Sequence, residues 1–155
     1  MALSLAQVQY IFGRFSFRAL SSGLIAPQPA WLARNIVLAR APFPLPTPTG
    51  RTETIRCHRL VLQHMLSALG ELNHRGLCRL IRSFDGCYVP RHVRWDTNRP
   101  LSRHAWGIAL DLNAAQFPFG SPRKQDSRLV EVFAKHGFLC GQEDGGLWRN
   151  TLDPM

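Results

Sequence analysis

The sequence predicts an α+β fold, a small antiparallel sheet flanked by helices, on three observations. Apolar residues recur at helical spacing in the middle of the chain, where Leu62, Met65, Leu66 and Leu69 fall at i, i+3, i+4 and i+7. They alternate with period two further on: Ile108, Leu110 and Leu112 point one way along an extended segment, and Ala109, Asp111 and Asn113 the other. Helical stretches and short separate strands then succeed each other in an order that suggests helices packed on a small antiparallel sheet.

Taken in order, residues 1–40 mix short apolar runs with arginines, and helices are expected over Ala2–Phe12 and Ala30–Ala39. Pro42, Pro44, Pro46 and Pro48 follow. Alternating prolines block helix and favour polyproline II, so this stretch reads as a stiff, extended spacer. It divides the chain into a basic, Pro-rich N-terminal extension (1–50) and a domain over 51–155. From Thr52 to Leu69 the pattern is helical, with Thr52 as N-cap and Gly70 as stop. His58 and His64 lie on or near that helix and read as packed or surface groups. Leu77–Phe84 reads as a strand, with Asp85-Gly86 a turn leading toward Arg91. Asp126 or Ser127 caps a last helix, whose apolar residues Leu129, Val130 and Phe133 precede Gly137 at its end. Phe138–Cys140 is a further short strand.

At 155 residues and 45% hydrophobic, the chain is long enough for a domain with a real core. Its net charge of +9 is uneven. Residues 1–50 hold four arginines and no acid, residues 51–111 add about five positive charges, and residues 112–155 balance. A basic surface suits anionic partners. No helix-turn-helix pattern or aromatic-interleaved basic motif singles out nucleic acid. The four cysteines, Cys57, Cys78, Cys87 and Cys140, form no Cys-x-x-Cys pair and read as single buried thiols. No run of about 18 apolar residues predicts a membrane span. The first apolar run is broken by Gln7, Gln9, Gly13 and Arg14 and has no basic n-region, so a secretory signal is not expected.

Chemistry concentrates in Ser102-Arg103-His104-Ala105-Trp106-Gly107-Ile108-Ala109-Leu110-Asp111-Leu112-Asn113. A strand that buries one face holds the Asp111 carboxylate rigidly on the other, and His104, just before it, reaches the same place. Imidazole and carboxylate are ligands suited to Zn²⁺. The full string resembles the zinc signature of the D-alanyl-D-alanine peptidase branch of the LAS metallopeptidases (lysostaphin, D-alanyl-D-alanine peptidases, sonic hedgehog). Phe84-Asp85-Gly86-Cys87-Tyr88-Val89-Pro90-Arg91 upstream agrees with that branch, as do Gly137-Phe138, Trp148 and Leu152-Asp153-Pro154-Met155 downstream. The resemblance runs from about Arg51 to the last residue.

The resemblance implies a hedgehog-like or D-Ala-D-Ala-peptidase-like fold and a zinc held by His104 and Asp111. It makes Asp153 the general base and Arg91 the group that stabilises the oxyanion or holds substrate, although Arg94, three residues on, leaves that assignment open. Ser102 either binds a substrate carboxylate or caps the turn, and Asn113 orients a ligand from behind. Trp106 and Trp148 read as core or pocket wall. In the family the closing Asp-Pro-Met continues into His-Phe-Glu, and that histidine is the third zinc ligand. This chain stops at Met155, so two of three ligands are expected in it. His92 and His136 are conceivable substitutes, neither of them at the motif position.

The implied function is a zinc peptidase acting on peptidoglycan stem peptides, as a D-Ala-D-Ala carboxypeptidase or an L-Ala-D-Glu-type endopeptidase. It would be made in the cytoplasm and act at the wall or in the periplasm, its basic surface favouring anionic wall polymers. The alternative is a non-catalytic wall-binding or vestigial protein, and behind that a basic nucleic-acid-associated domain.

Overall fold

The computed structural model describes residues 3–118 and 124–140, and the backbone of 151–154. Helix α1 (Leu5–Phe12) starts at a capping box: the Ser4 hydroxyl accepts from the Gln7 amide, and the Gln7 side chain accepts from the Ser4 amide. Strands β1 (Phe17–Ala19) and β2 (Ile25–Pro27) pair antiparallel. Helix α2 (Pro29–Asn35) has proline at its first position, where a missing N–H costs nothing. It is shorter than the Ala30–Ala39 expectation, because the β-branched pair Ile36-Val37 opens a strand instead.

That strand overturns the polyproline spacer. Strand β3 (Ile36–Thr47) runs through Pro42, Pro44 and Pro46 and pairs antiparallel with β4 (Gly50–His58). The prolines sit at every second position, which is also the strand period. Ala41 and Leu45 turn to the core between them with Phe43 partly buried, while Pro42 and Pro44 are exposed. The ladder is interrupted between Arg40 and Leu45, the stretch where prolines have no N–H to give it. Residue 50, where composition divides the chain, adjoins the turn of this hairpin, and both sides of it feed one core. Val8, Phe12, Trp31 and Leu45 pack in the same cluster as Met65, Leu69, Trp106, Phe133 and Phe138.

The helix expected over Thr52–Leu69 is displaced. Thr52 lies in β4 opposite Leu45, and the helix is α3 (Arg59–His74), which passes through Gly70. Its cap is His58, whose Nδ1 accepts from the Leu60 amide. The periodicity marked the buried face correctly at Met65 and Leu69; Val61, Ala68 and Leu72 complete it. Helix α4 (Ser127–Lys135), capped by Asp126, buries Leu129, Val130, Val132 and Phe133. Glu71 of α3 ties the two helices together. It meets Lys135 at 2.8 Å, His136 at 2.9 Å and Arg75 at 3.2 Å, and these bonds, Lys135 foremost, hold its carboxyl down at about 2.

The sheet that carries the motif is antiparallel. It comprises β5 (Phe84–Gly86), β6 (Leu110–Leu112), β7 (Phe138–Cys140) and β8 (Thr151–Pro154), in the order β5-β6-β8-β7. The strand expected over Leu77–Phe84 is mostly a 3₁₀ turn (Cys78–Leu80) and irregular chain. The Asp85-Gly86 turn is instead a bulge within β5, where Phe84 faces Leu112 and Gly86 faces Asp111. The α+β expectation, helices on a small antiparallel sheet, holds. The cysteines are unbridged, with Cys57, Cys87 and Cys140 buried and Cys78 only partly so. Among the described residues no helix is long and apolar enough to cross a membrane.

Candidate metal centre

His104 sits in a short 3₁₀ turn, Arg103–Trp106, closed by Gly107 in the left-handed conformation at φ 67. A Cβ on Gly107 would stand 2.9 Å from the backbone nitrogen of His58, so the turn can only close this tightly with glycine. From there the chain extends into β6. Ile108, Leu110 and Leu112 are buried, as their alternation predicts. The opposite face is less open than expected: Ala109 and Asn113 are also buried, and only Asp111 of that face reaches solvent in part.

The imidazole of His104 is almost fully buried, and each of its nitrogens has a defined neighbour. Nδ1 lies 2.9 Å from the carbonyl oxygen of Cys87, and Nε2 lies 3.3 Å from Oδ2 of Asp111. A carbonyl only accepts, so the first contact requires a proton on Nδ1. In the neutral ring Nε2 then presents a lone pair toward a carboxylate oxygen. Two acceptors at that separation need a cation between them, either a proton or a metal. A backbone carbonyl behind one ring nitrogen is also how metal-bound histidines are commonly oriented. Zinc bonds of about 2.0–2.2 Å put neighbouring ligand atoms of a tetrahedron about 3.4 Å apart, close to the observed separation. The donor set fits the metal that the motif implies. Among the described residues no group of three His, Cys, Asp or Glu side chains gathers around a point.

Arg91 lines a cavity of about 180 Å³ together with His104 and Ser102, while Arg94 is exposed and takes no part in it. Burial lowers the pKa of the Arg91 guanidinium from its ordinary value, while the charge of Asp111 acts to raise it. Among the described residues the guanidinium donates one hydrogen bond, to the carbonyl of His92 at a long 3.4 Å, and its Cζ lies over the ring of Trp95. Ser102 caps the His104 turn, its hydroxyl oxygen accepting from the His104 amide at 3.4 Å. Trp106 is buried in the cavity wall.

Asn113 is brought somewhere else. Its Oδ1 accepts from the amides of Arg82 (2.7 Å) and Ser83 (3.1 Å), and its Nδ2 donates to the Leu80 carbonyl and Gln125 Oε1. It brackets the chain behind the sheet. Asp153 is described by its backbone alone: in β8 it pairs with Leu139 and lies two positions from Thr151, the partner of Asp111. Trp148 and Met155 lie outside the described residues. One ring nitrogen of each alternative is engaged: Nδ1 of His92 by the Arg99 carbonyl, and Nε2 of His136 by Glu71.

Sequence reasoning missed two contributors. The Cys87 carbonyl that holds His104 is a backbone group, and no side-chain pattern reports it. Trp95, four residues after Arg91, was visible as a residue but not as the platform beneath the guanidinium.

Neither a curated protein nor a solved structure matches the chain. A family model does, over residues 95–155, and its description is D-alanyl-D-alanine carboxypeptidase. That segment contains His104, Asp111 and Asp153. Over residues 95–155 the chain is therefore similar to the D-alanyl-D-alanine carboxypeptidase family, which bears out the resemblance read from its motif.

Proposed function

We propose that this protein is a zinc-dependent peptidase of the D-alanyl-D-alanine carboxypeptidase type, acting on peptidoglycan stem peptides. The family match supports the peptidase class. The observation that carries the metal is the His104–Asp111 pair, with Nδ1 anchored on Cys87 and Nε2 aimed at a carboxylate 3.3 Å away. His104 and Asp111 would hold the ion, and when bound it would polarise the scissile amide carbonyl as a Lewis acid.

The chain's own residues supply the rest. Arg91, charged and half-buried, offers spare donors to the terminal carboxylate of a peptide or to an oxyanion developing beside it. Asp153 is the proposed base, taking a proton from the attacking water and returning it to the leaving amine. In the backbone of β8, Asp153 lies two positions along from Thr151, the register partner of Asp111. The surplus positive charge supports dwelling on anionic wall polymers, and the wall or periplasm is the proposed site of action.

The test is zinc content and peptide release, measured on this chain and on the same chain extended by His-Phe-Glu. One tightly held zinc per chain, with chelator-sensitive release of D-alanine from N-acyl-D-alanyl-D-alanine, supports the reading. Absence of tight zinc in both proteins defeats it. Cleavage of the L-Ala-D-Glu bond alone would move the substrate assignment to an endopeptidase.

A further inference from the structure

Helix α1 lies outside the segment matched by the family model, yet it is fastened to the turn that carries His104. Arg103 donates a guanidinium hydrogen bond to the carbonyl of Leu3, just before the helix. Trp106 Nε1 donates to the carbonyl of Gly13 at its other end, at 2.9 Å. Both anchors belong to the same four-residue turn, Arg103–Trp106. The helix is thus held in register with His104.

What it presents there is apolar. The cavity beside His104 has Leu5 and Val8 of α1 on its wall, with Val93, Leu101 and Trp106. Its polar residues include Arg91, Ser102 and His104. At about 180 Å³ it is below the roughly 300–1,000 Å³ of sites for drug-sized ligands, so it suits one or two small residues. An apolar wall facing a guanidinium with unspent donors matches one kind of occupant, a carboxylate carried on a compact apolar group.

We infer that α1 is a wall of the ligand site, and that Leu5 and Val8 select the terminal residue whose carboxylate Arg91 holds. The inference rests on the peptidase reading for the identity of the ligand, a peptide C-terminus, but not on the metal. Leu5 is 42% exposed, at the outer rim of the wall, so enlarging it fills the cavity without overpacking the core. Val8 is buried, and shortening it enlarges the inner end.

Calorimetric binding of N-acetyl-D-alanyl-D-alanine and N-acetyl-D-alanyl-D-leucine to the whole chain tests this, with zinc and with chelator. The wild type should bind the alanine peptide more tightly. Leu5→Trp should weaken both peptides tenfold or more, with zinc uptake and melting temperature unchanged. Val8→Ala should shift the preference toward the leucine peptide by about fourfold for each methylene newly accommodated. Wild-type affinity for both peptides in Leu5→Trp overturns the inference, as does an absence of peptide binding to the wild type. Should the wild type bind no zinc and yet bind peptide in a Leu5-dependent way, the metal reading falls and α1 keeps its role. Should zinc bind and peptide be cut with Leu5→Trp indifferent, the role of α1 falls alone.

Discussion

The guanidinium of Arg91 lies 5.0 Å from the centroid of the Trp95 ring, and the loop that makes this contact is strained. Arg94 and Trp95 both hold positive φ, 55° and 60°. Gly23 packs against that loop so closely that a Cβ there would meet the Trp95 carbonyl oxygen at 2.2 Å. Its carbonyl accepts from the His92 amide, and Pro90 accepts from Ile25, so the N-terminal segment clamps the arginine loop. A half-buried cation over an indole is stabilised by about 0.5–2 kcal/mol. Trp95→Ala should therefore weaken a carboxylate ligand by about 2- to 30-fold. Trp95→Phe should recover most of that loss, and zinc uptake should not move in either. Titrating both variants with N-acetyl-D-alanyl-D-alanine decides; equal affinity in Trp95→Ala and wild type removes Trp95 from the site.

The same clamp predicts a stability effect. Gly23→Ala forces an L side chain into a positive-φ position against backbone, where no rotamer change relieves it. A cost of about 1–3 kcal/mol is expected, which lowers the melting temperature by roughly 2–4 °C for each kcal/mol in a chain of this size. An unchanged melting curve would show that the loop yields freely.

Asp111→Ala removes the carboxylate that faces Nε2 of His104. Loss of a supporting group around a metal ligand typically costs 10- to 100-fold in affinity, and loss of a ligand should cost more than about 100-fold. Competition against a chromogenic chelator measures it. Retained wild-type zinc affinity in Asp111→Ala would falsify the metal assignment outright.

Asn113 gives a contrasting case, a motif residue whose structural role can be tested apart from the metal. Asn113→Ala leaves the amides of Arg82 and Ser83 and the carbonyl of Leu80 without their partner. It also puts alanine at φ 58, which asparagine tolerates better. Buried groups left unpaired cost about 1–3 kcal/mol each, and partial relaxation makes about 2–4 kcal/mol the expected total. Chemical denaturation should show this loss while zinc affinity per folded molecule stays within about threefold, since losing a group that orients a metal ligand costs about tenfold or more. A drop in affinity without loss of stability would restore Asn113 to the role of orienting a ligand.

How much of this was legible follows from the range of each interaction. Ile108, Leu110 and Leu112 announced β6 because the large apolar residues of one face recur with period two, and α4 was legible from Asp126 and its apolar stripe. The pairing of His104 with Asp111 was legible because a tight turn and a strand bring them together over seven residues. The Pro42–Pro48 stretch misled because period-two proline satisfies polyproline II and an edge-like strand equally. Only the partner strand, supplied by Thr52–His58, distinguishes them, and those same residues read as the start of a helix in the sequence. The anchors of α1 on Arg103 and Trp106 span about a hundred residues and end on backbone carbonyls. Nothing in local spacing reports a contact of that kind.

His58 predicts the acid sensitivity of the fold. Its side chain is fully buried, with Nδ1 accepting from Leu60 and Nε2 donating to the Phe12 carbonyl at 3.2 Å, and its ring meets Phe12 edge-on. Burial, reinforced by the charge of Arg59 and opposed by the Phe12 bond, takes its pKa from 6.5 down to about 4. Above pH 6.5 both folded and unfolded chains carry the ring neutral, and the stability it supports is complete. As pH falls below 6.5 the unfolded chain takes up a proton that the folded chain refuses, so stability declines until about pH 4 and levels off beneath it. The loss across that window is on the order of 3 kcal/mol. Glu71, held at about 2 against an ordinary 4.5, acts lower, so the interval from pH 6.5 to 4.5 belongs to His58 between the two. His58→Asn keeps an N-cap acceptor that does not titrate. Denaturation at pH 7.5 and 5 should show the wild type losing stability between them and His58→Asn, though weaker throughout, changing much less. Parallel losses in both proteins would place the acid-sensitive group elsewhere.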